Sequence, residues 1–215
     1  MSKHNISVEG GASVRLLTAG KYCDRDIIIT ASDEQWIREI ERDASKLVTK
    51  LPDRITRIGT HAFYACSNLA ITSLPNSVVS IGTNAFAACA NLALTFLPDG
   101  LTNIGTNAFS NCSKLALISL PNGLTSISKG TFYNCVNLAV SAIPNGVTNI
   151  GADAFANCKG LIEITFKGTP TSIESSSFAN CTNLRTINVP WAEGEVANAP
   201  WGATNATINY NYTEG

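Results

Sequence analysis

Seven cysteines are the residues of this chain best equipped for chemistry, and His4 and His61 are its only imidazoles. A thiol that binds metal, attacks an electrophile or closes a disulfide needs partners at short spacing or an activating base. Six of the seven, Cys66, Cys89, Cys112, Cys135, Cys158 and Cys181, instead recur every 23 residues, with Cys23 apart from them. No histidine column accompanies the series: His4 stands near the start, and His61 fills a slot held elsewhere by Asn84, Asn107 and Asp153. Such a column suits small, apolar, reduced thiols in a core, and the odd count argues against a disulfide framework. Spacing alone leaves rung-to-rung bridging open, because that depends on Cα separation. His61 reads as a surface residue at the start of a short helical turn. Asp24 and Asp26 flank Ile27-Ile28-Ile29 and read as solvated turn residues rather than ligands. With no phosphate loop, nucleophile elbow, metal-ligand cluster or paired carboxylates, the expectation is a non-enzyme with no cofactor and no metal.

The element that positions the cysteines is a 23-residue unit, copied six times without a break, starting at Leu51, Leu74, Leu97, Leu120, Ile143 and Phe166. One such unit is too small to bury its own apolar side, so each must lay it against the next. Equivalent residues then stack into ladders. The phenylalanine ladder is Phe63, Phe86, Phe109, Phe132, Phe155 and Phe178; the isoleucine ladder is Ile58, Ile81, Ile104, Ile127, Ile150 and Ile173; the leucine ladder is Leu69, Leu92, Leu115, Leu138, Leu161 and Leu184. Within a unit, Pro-Asp/Asn-Gly, as in Pro98-Asp99-Gly100, is turn chemistry in which Pro presets φ and Gly accepts positive φ. The turn joins two extended pieces, Leu69 to Leu74 and Val78 to Ile81 and their equivalents. Gly82 or Gly105 then releases the chain into a helical turn that places Phe86 and Cys89 three apart on one face. The predicted fold class is an α+β repeat solenoid, a right-handed stack of six strand-turn-strand-helical-turn units with a cap at each end.

The string Pro144 to Leu161, Pro-x-x-Val-Thr-x-Ile-Gly-x-x-Ala-Phe-x-x-Cys-x-x-Leu, resembles the BspA-type leucine-rich repeat, whose members are bacterial and protist surface and adhesion proteins. The resemblance spans residues 51–188 and implies the solenoid; it is far less specific for function. Copies five and six read Leu161-x-x-Ile164-x-Phe166 and Leu184-x-x-Ile187-x-Val189 as the family does, but copies one to four depart from it, as in Leu69-Ala70-Ile71. Which of those two residues faces inward is left open. Residues 10–30 resemble a leader of prophage-encoded and tail-associated proteins from gut Firmicutes, and residues 189–204 resemble an ending of leucine-rich proteins from the same setting. Those flanks imply a phage structural or receptor-contacting role.

Four segments follow: a β-rich leader at 1–31, an amphipathic capping helix at 32–50, the repeats at 51–188, and a degenerate repeat with a C-terminal cap at 189–215. The helix has a capping box from Ser32 to Gln35 and a stripe of Trp36, Ile37, Ile40, Ala44, Leu47 and Val48. That stripe either covers the first repeat or pairs with a second copy of the chain. Trp191 and Trp201 are expected to close the other end.

Composition sets the remaining bounds. Hydrophobic residues make up 45% and charged residues 14% of the chain, which is globular rather than disordered. The net charge of −1 gives no field to draw nucleic acid or an anionic membrane. Of the charged residues, 16 fall in residues 1–50 and 12 in residues 51–188, so the repeats present a Ser/Thr/Asn surface. Neither a signal peptide nor a membrane span is expected, since no apolar run reaches the required length. The family resemblance places the chain on a virion or a cell surface; without it, the cytoplasm is the default.

By the period-2 rule the first extended piece should point Ser73, Phe96, Ser119, Ala142, Thr165 and Asn188 outward, and these form the candidate binding face. Phe96 reads either as a protein or sugar contact or as a ring folded over a neighbouring rung. The expected function is a non-catalytic protein- or glycan-binding or structural module, phage-tail-associated or adhesive. The partner would be a host or bacterial surface protein or glycan. An intracellular interaction scaffold is the alternative.

Overall fold

The computed structural model describes residues 51–213 except 52, 54, 68 and 70, together with the backbone of five short strands nearer the start. The expected helix at 32–50, Cys23, His4, Asp24 and Asp26 lie outside the described residues. The early strands are β1 (Ile6–Glu9), β2 (Ser13–Val14), β3 (Leu17–Thr18), β4 (Lys21–Tyr22) and β5 (Ile29–Thr30). β1 runs antiparallel to β2 and parallel to β5, and β3 pairs antiparallel with β4.

From Leu51 onward the chain winds as a solenoid of about seven rungs, with two rows of parallel strands stepping by one repeat. One row holds β6 (Arg57–Ile58), β7 (Ser80–Ile81), β8 (Asn103–Ile104), β9 (Ser126–Ile127), β11 (Asn149–Ile150) and β13 (Ser172–Ile173). Ile58 pairs with Ile81 and Ile81 with Ile104; Ile127 pairs with Ile150 and Ile150 with Ile173. Between β8 and β9 the Ser128 hydroxyl donates to the Ile104 carbonyl at 3.0 Å. The other row is shorter: β10 (Ala142–Ile143), β12 (Glu163–Phe166), β14 (Thr186–Asn188) and β15 (Thr207–Asn209).

All four predicted ladders are buried. The phenylalanine rings stack with centroids 5.1–5.7 Å apart and planes within 20° of parallel, inside the range where aromatic pairs attract beyond their burial. Ile71, Leu94, Leu117 and Val140 are buried while Ala93 and Ala139 are exposed, so in copies one to four the third-position aliphatic turns inward. At the far end Trp191 and Trp201 are both buried and meet Phe166 at 5.1 and 6.1 Å between centroids. The Trp201 indole donates to the Ala197 carbonyl at 2.7 Å.

The helical turn is a correction: the described residues contain no helix, so the α part of the predicted class falls away. Two columns four residues apart are left-handed, with φ of +54° to +63°: His61, Asn84, Asn107, Gly130 and Asp153 in one, and Ala65, Ala88, Asn111, Asn134, Asn157 and Asn180 in the other. A left-handed residue every fourth position cannot continue a right-handed helix. Instead the amides alternate. Ala85, Ala87 and Cys89 donate three residues back to Gly82, Asn84 and Phe86, while Asn84, Phe86 and Ala88 donate across to Thr106, Ala108 and Ser110 of the next rung. Asn, Asp and His recur there because their short polar side chains tolerate that backbone better than other residues do. His61 is thus a left-handed turn residue rather than a helix start, and its Nε2 lies 3.1 Å from Asn84 Nδ2.

The proline turn is also corrected. Leu101 N–H donates to Pro98 O at 3.0 Å, so proline accepts the closing bond rather than occupying the second position. Gly100 is not among the residues of positive φ, and Ser77 fills the equivalent slot. The glycine that steric contact does demand is Gly82, where a Cβ would lie 2.6 Å from the Thr60 backbone nitrogen of the preceding rung.

Candidate functional site

The thiols come first, because they were the only reactive column. Cys89, Cys112, Cys135, Cys158 and Cys181 are free and buried. Each Sγ donates to the carbonyl of the phenylalanine on the preceding rung, from Cys89 to Phe63 at 2.9 Å through Cys181 to Phe155 at 3.1 Å. Burial pushes the Cys89 thiol up to about 12 and the Cys181 thiol to about 11, and raises the three between them as well. Thiols held so far from ionisation are poor nucleophiles and poor metal ligands. Cys66 corrects the reading of a uniformly reduced set: it is disulfide-bonded. Among the described residues no group of three or more His, Cys, Asp or Glu is placed to hold a metal ion, and no helix is long and apolar enough to cross a membrane.

The candidate face lies on the stretches 69–74, 92–97, 115–120 and their successors. In the first four of these, inward residues fall two and five positions after the ladder leucine, as Leu92, Leu94 and Leu97 do. The two residues between them must both turn out, and Thr95 and Phe96 are exposed together. Phe96 is 60% exposed, so most of the residue stands in solvent. Ser73 and Ser119, one rung to either side, are exposed; Ala142 and Thr165 are half-buried.

Asn188 is a correction to that row. It is only 2% exposed, its Nδ2 donates to Glu163 Oε1 at 2.6 Å and Thr165 Oγ1 at 3.1 Å, and its Oδ1 accepts from Asn209 Nδ2 at 2.7 Å. It sits in register between Thr165 and Asn209, and the seventh rung shuts it in.

Beside Phe96 is a depression of about 420 Å³ lined by Ser73, Asn76, Phe96, Asp99 and Ser119 among others. A second of about 240 Å³, bordered by Asp53, shares Ser73, Leu74 and Asn76 with it, so the two form one groove across successive rungs. Sequence reasoning did not assign Asn76 and Asp99 to this face. The available signal was their place directly after the turn proline, at the rim shared by both extended pieces. None of the described residues lining the groove is Lys, Arg or His. The arrangement can offer an apolar ring, hydroxyls, an amide and carboxylate acceptors; it has no general base poised on a nucleophile.

Residues 45–161 and 127–198 match the family described as BspA type leucine rich repeat region (6 copies). Among solved structures, the chain is 30% identical to a leucine-rich repeat protein of T. pallidum, covering 71% of this chain and 79% of that one with a TM-score of 0.57. A leucine-rich cell surface protein of Faecalibacterium prausnitzii is 23% identical over 65% of this chain and 54% of its own length, with a TM-score of 0.45. The pneumococcal vaccine antigen PcpA is 23% identical over 68% of this chain and 33% of its own, with a TM-score of 0.49. No curated protein sequence matches the chain. With six copies of the motif in register and every ladder buried as the motif requires, the chain belongs to the BspA-type leucine-rich-repeat family.

Proposed function

We propose that the chain is a non-catalytic recognition module that presents the face around Phe96 to a protein or glycan on a cell surface. The observation that carries this reading is Phe96, a large apolar ring left in solvent beside a groove of hydroxyl, amide and carboxylate groups. A large ring at the mouth of a concave polar groove is the kind of anchor that recognition sites use. The same repeat could have placed a small residue there, as it does at Ser73 and Ser119. Display on a virion or a cell surface is the finer part of the proposal and rests on the resemblance of the flanks to tail-associated proteins. Binding of fluorescently labelled protein to whole bacterial cells and to cell-wall extracts tests the reading. Saturable binding that Phe96→Ala weakens at least tenfold is expected; absence of binding to every surface offered would sink it.

A further inference from the structure

We propose that the groove beside Phe96 binds a neutral, extended oligosaccharide, with the phenylalanine ring as its stacking platform. The inference rests on the recognition reading above and names the chemistry of the partner. Size is the first consideration. A depression of about 420 Å³ has the volume of a small-ligand site, roughly 300–1,000 Å³.

Lining chemistry is the second. A pyranose presents a flat C–H face that packs on an aromatic ring, and a rim of hydroxyls that both donate and accept. Phe96 offers the ring, Ser73 and Ser119 flank it with hydroxyls, and Asn76 and Asp99 supply an amide and a carboxylate at the edge. Among the described lining residues there is no Lys, Arg or His, and Asp99 stands at the border, which disfavours an anionic sugar and fits a neutral one.

Periodicity is the third. The groove continues across rungs whose ladder rings are 5.1–5.7 Å apart, and an extended β-linked pyranose chain advances by about one rung per sugar. Successive sugars therefore meet successive, equivalent turn residues, Asp53, Asn76 and Asp99.

Isothermal titration of the full chain with cellohexaose, laminarihexaose, chitohexaose and maltohexaose, with a hyaluronan hexasaccharide as the anionic contrast, tests the assignment. At least one neutral hexasaccharide binds, the anionic one does not, Phe96→Ala weakens binding at least tenfold, and Asp99→Asn weakens it severalfold. Ile162→Ala, at a side chain 66% exposed but outside the groove, leaves affinity unchanged, and thermal melts confirm that each variant folds. Neutral-sugar binding that ignores Phe96→Ala overturns the site. Cell binding that survives periodate oxidation of surface glycans, with none of the hexasaccharides bound, overturns the glycan assignment and leaves the recognition reading standing. Loss of all binding sinks both.

Discussion

The stretches 92–97 and 161–166 occupy the same place in the repeat and yet differ in kind. In the first, inward residues are Leu92, Leu94 and Leu97; in the second they are Leu161, Ile164 and Phe166. Moving one apolar residue by one position changes the backbone. Ile164-Thr165-Phe166 alternate, so β12 pairs with β10 and β14. Around Leu94 two neighbours must point out together, alternation fails, and no strand forms there. The isoleucines on the other extended piece are buried in both regions, although their strands form two sheets that part between β8 and β9. Where the inward spacing obeys the pleat the strands are longer, through β12 and β14. The other spacing leaves no strand around Leu94 and only the two-residue β10 at the end of the fourth copy, and side chains such as Phe96 stand beside a groove.

The comparison can be broken most forcefully at the ladder the two regions share. Phe109, stacked between Phe86 and Phe132, should cost about 3–5 kcal/mol on conversion to Ala; a change near zero in denaturant unfolding would refute a continuous core. A sharper test exploits Ile118, exposed one position beyond the buried Leu117. Leu94→Ala should cost about 2–5 kcal/mol, because its neighbour Thr95 cannot substitute. Leu117→Ala should cost clearly less, because Ile118 can turn in and impose the alternating register. Equal losses would show that spacing does not choose between the two forms. Smaller again is Asn188→Ala, which removes the hydrogen bonds of a buried amide to partners that still reach water, at a cost of about 0.5–1.5 kcal/mol, while Ser73→Ala in the same column should stay within about 0.5 kcal/mol.

The thiol column gives a pH test that spans both regions. Folded values of about 12 at Cys89 and about 11 at Cys181 lie above the unfolded thiol value near 8.5. Stability from this source is thus whole below about pH 8.5 and declines as pH rises towards the folded values, since only the unfolded chain releases those protons. Urea midpoints that fall above pH 9, and fall less in Cys135→Ala, are expected. A flat profile would mean that the thiols are wet.

Much of the spine was legible because identical apolar residues at constant spacing allow few other solutions. The Phe and Cys three apart imitated a helix, and the contrary signal, Asn, Asp or Gly recurring in two columns four apart, belongs to left-handed turns instead. Glycine after the proline suggested positive φ, although Ser77 in the same slot already argued that no special backbone was needed. Phe96 is exposed, as the outward row expected, but together with Thr95 rather than by alternation. The row failed at Asn188, whose cover comes from a seventh rung too degenerate to align by eye. The turn residues Asn76 and Asp99 escaped notice because their role in shaping the chain accounted for them.

The direction of the cross-rung hydrogen bonds carries one more consequence. Where the chain passes through its left-handed residues, amides reach forward, as Phe86 does to Ala108; along the strands they reach back, as Gly105 does to Ile81. Most circuits thereby meet their successor and predecessor through equivalent couplings, with the Ser128 hydroxyl standing in for a backbone amide between β8 and β9. Excising or duplicating a whole unit would rejoin matching surfaces, whereas losing a single residue would throw every subsequent coupling out of phase. Length is accordingly a variable that recombination can adjust in whole steps, most simply among the first four copies, which share one inward spacing.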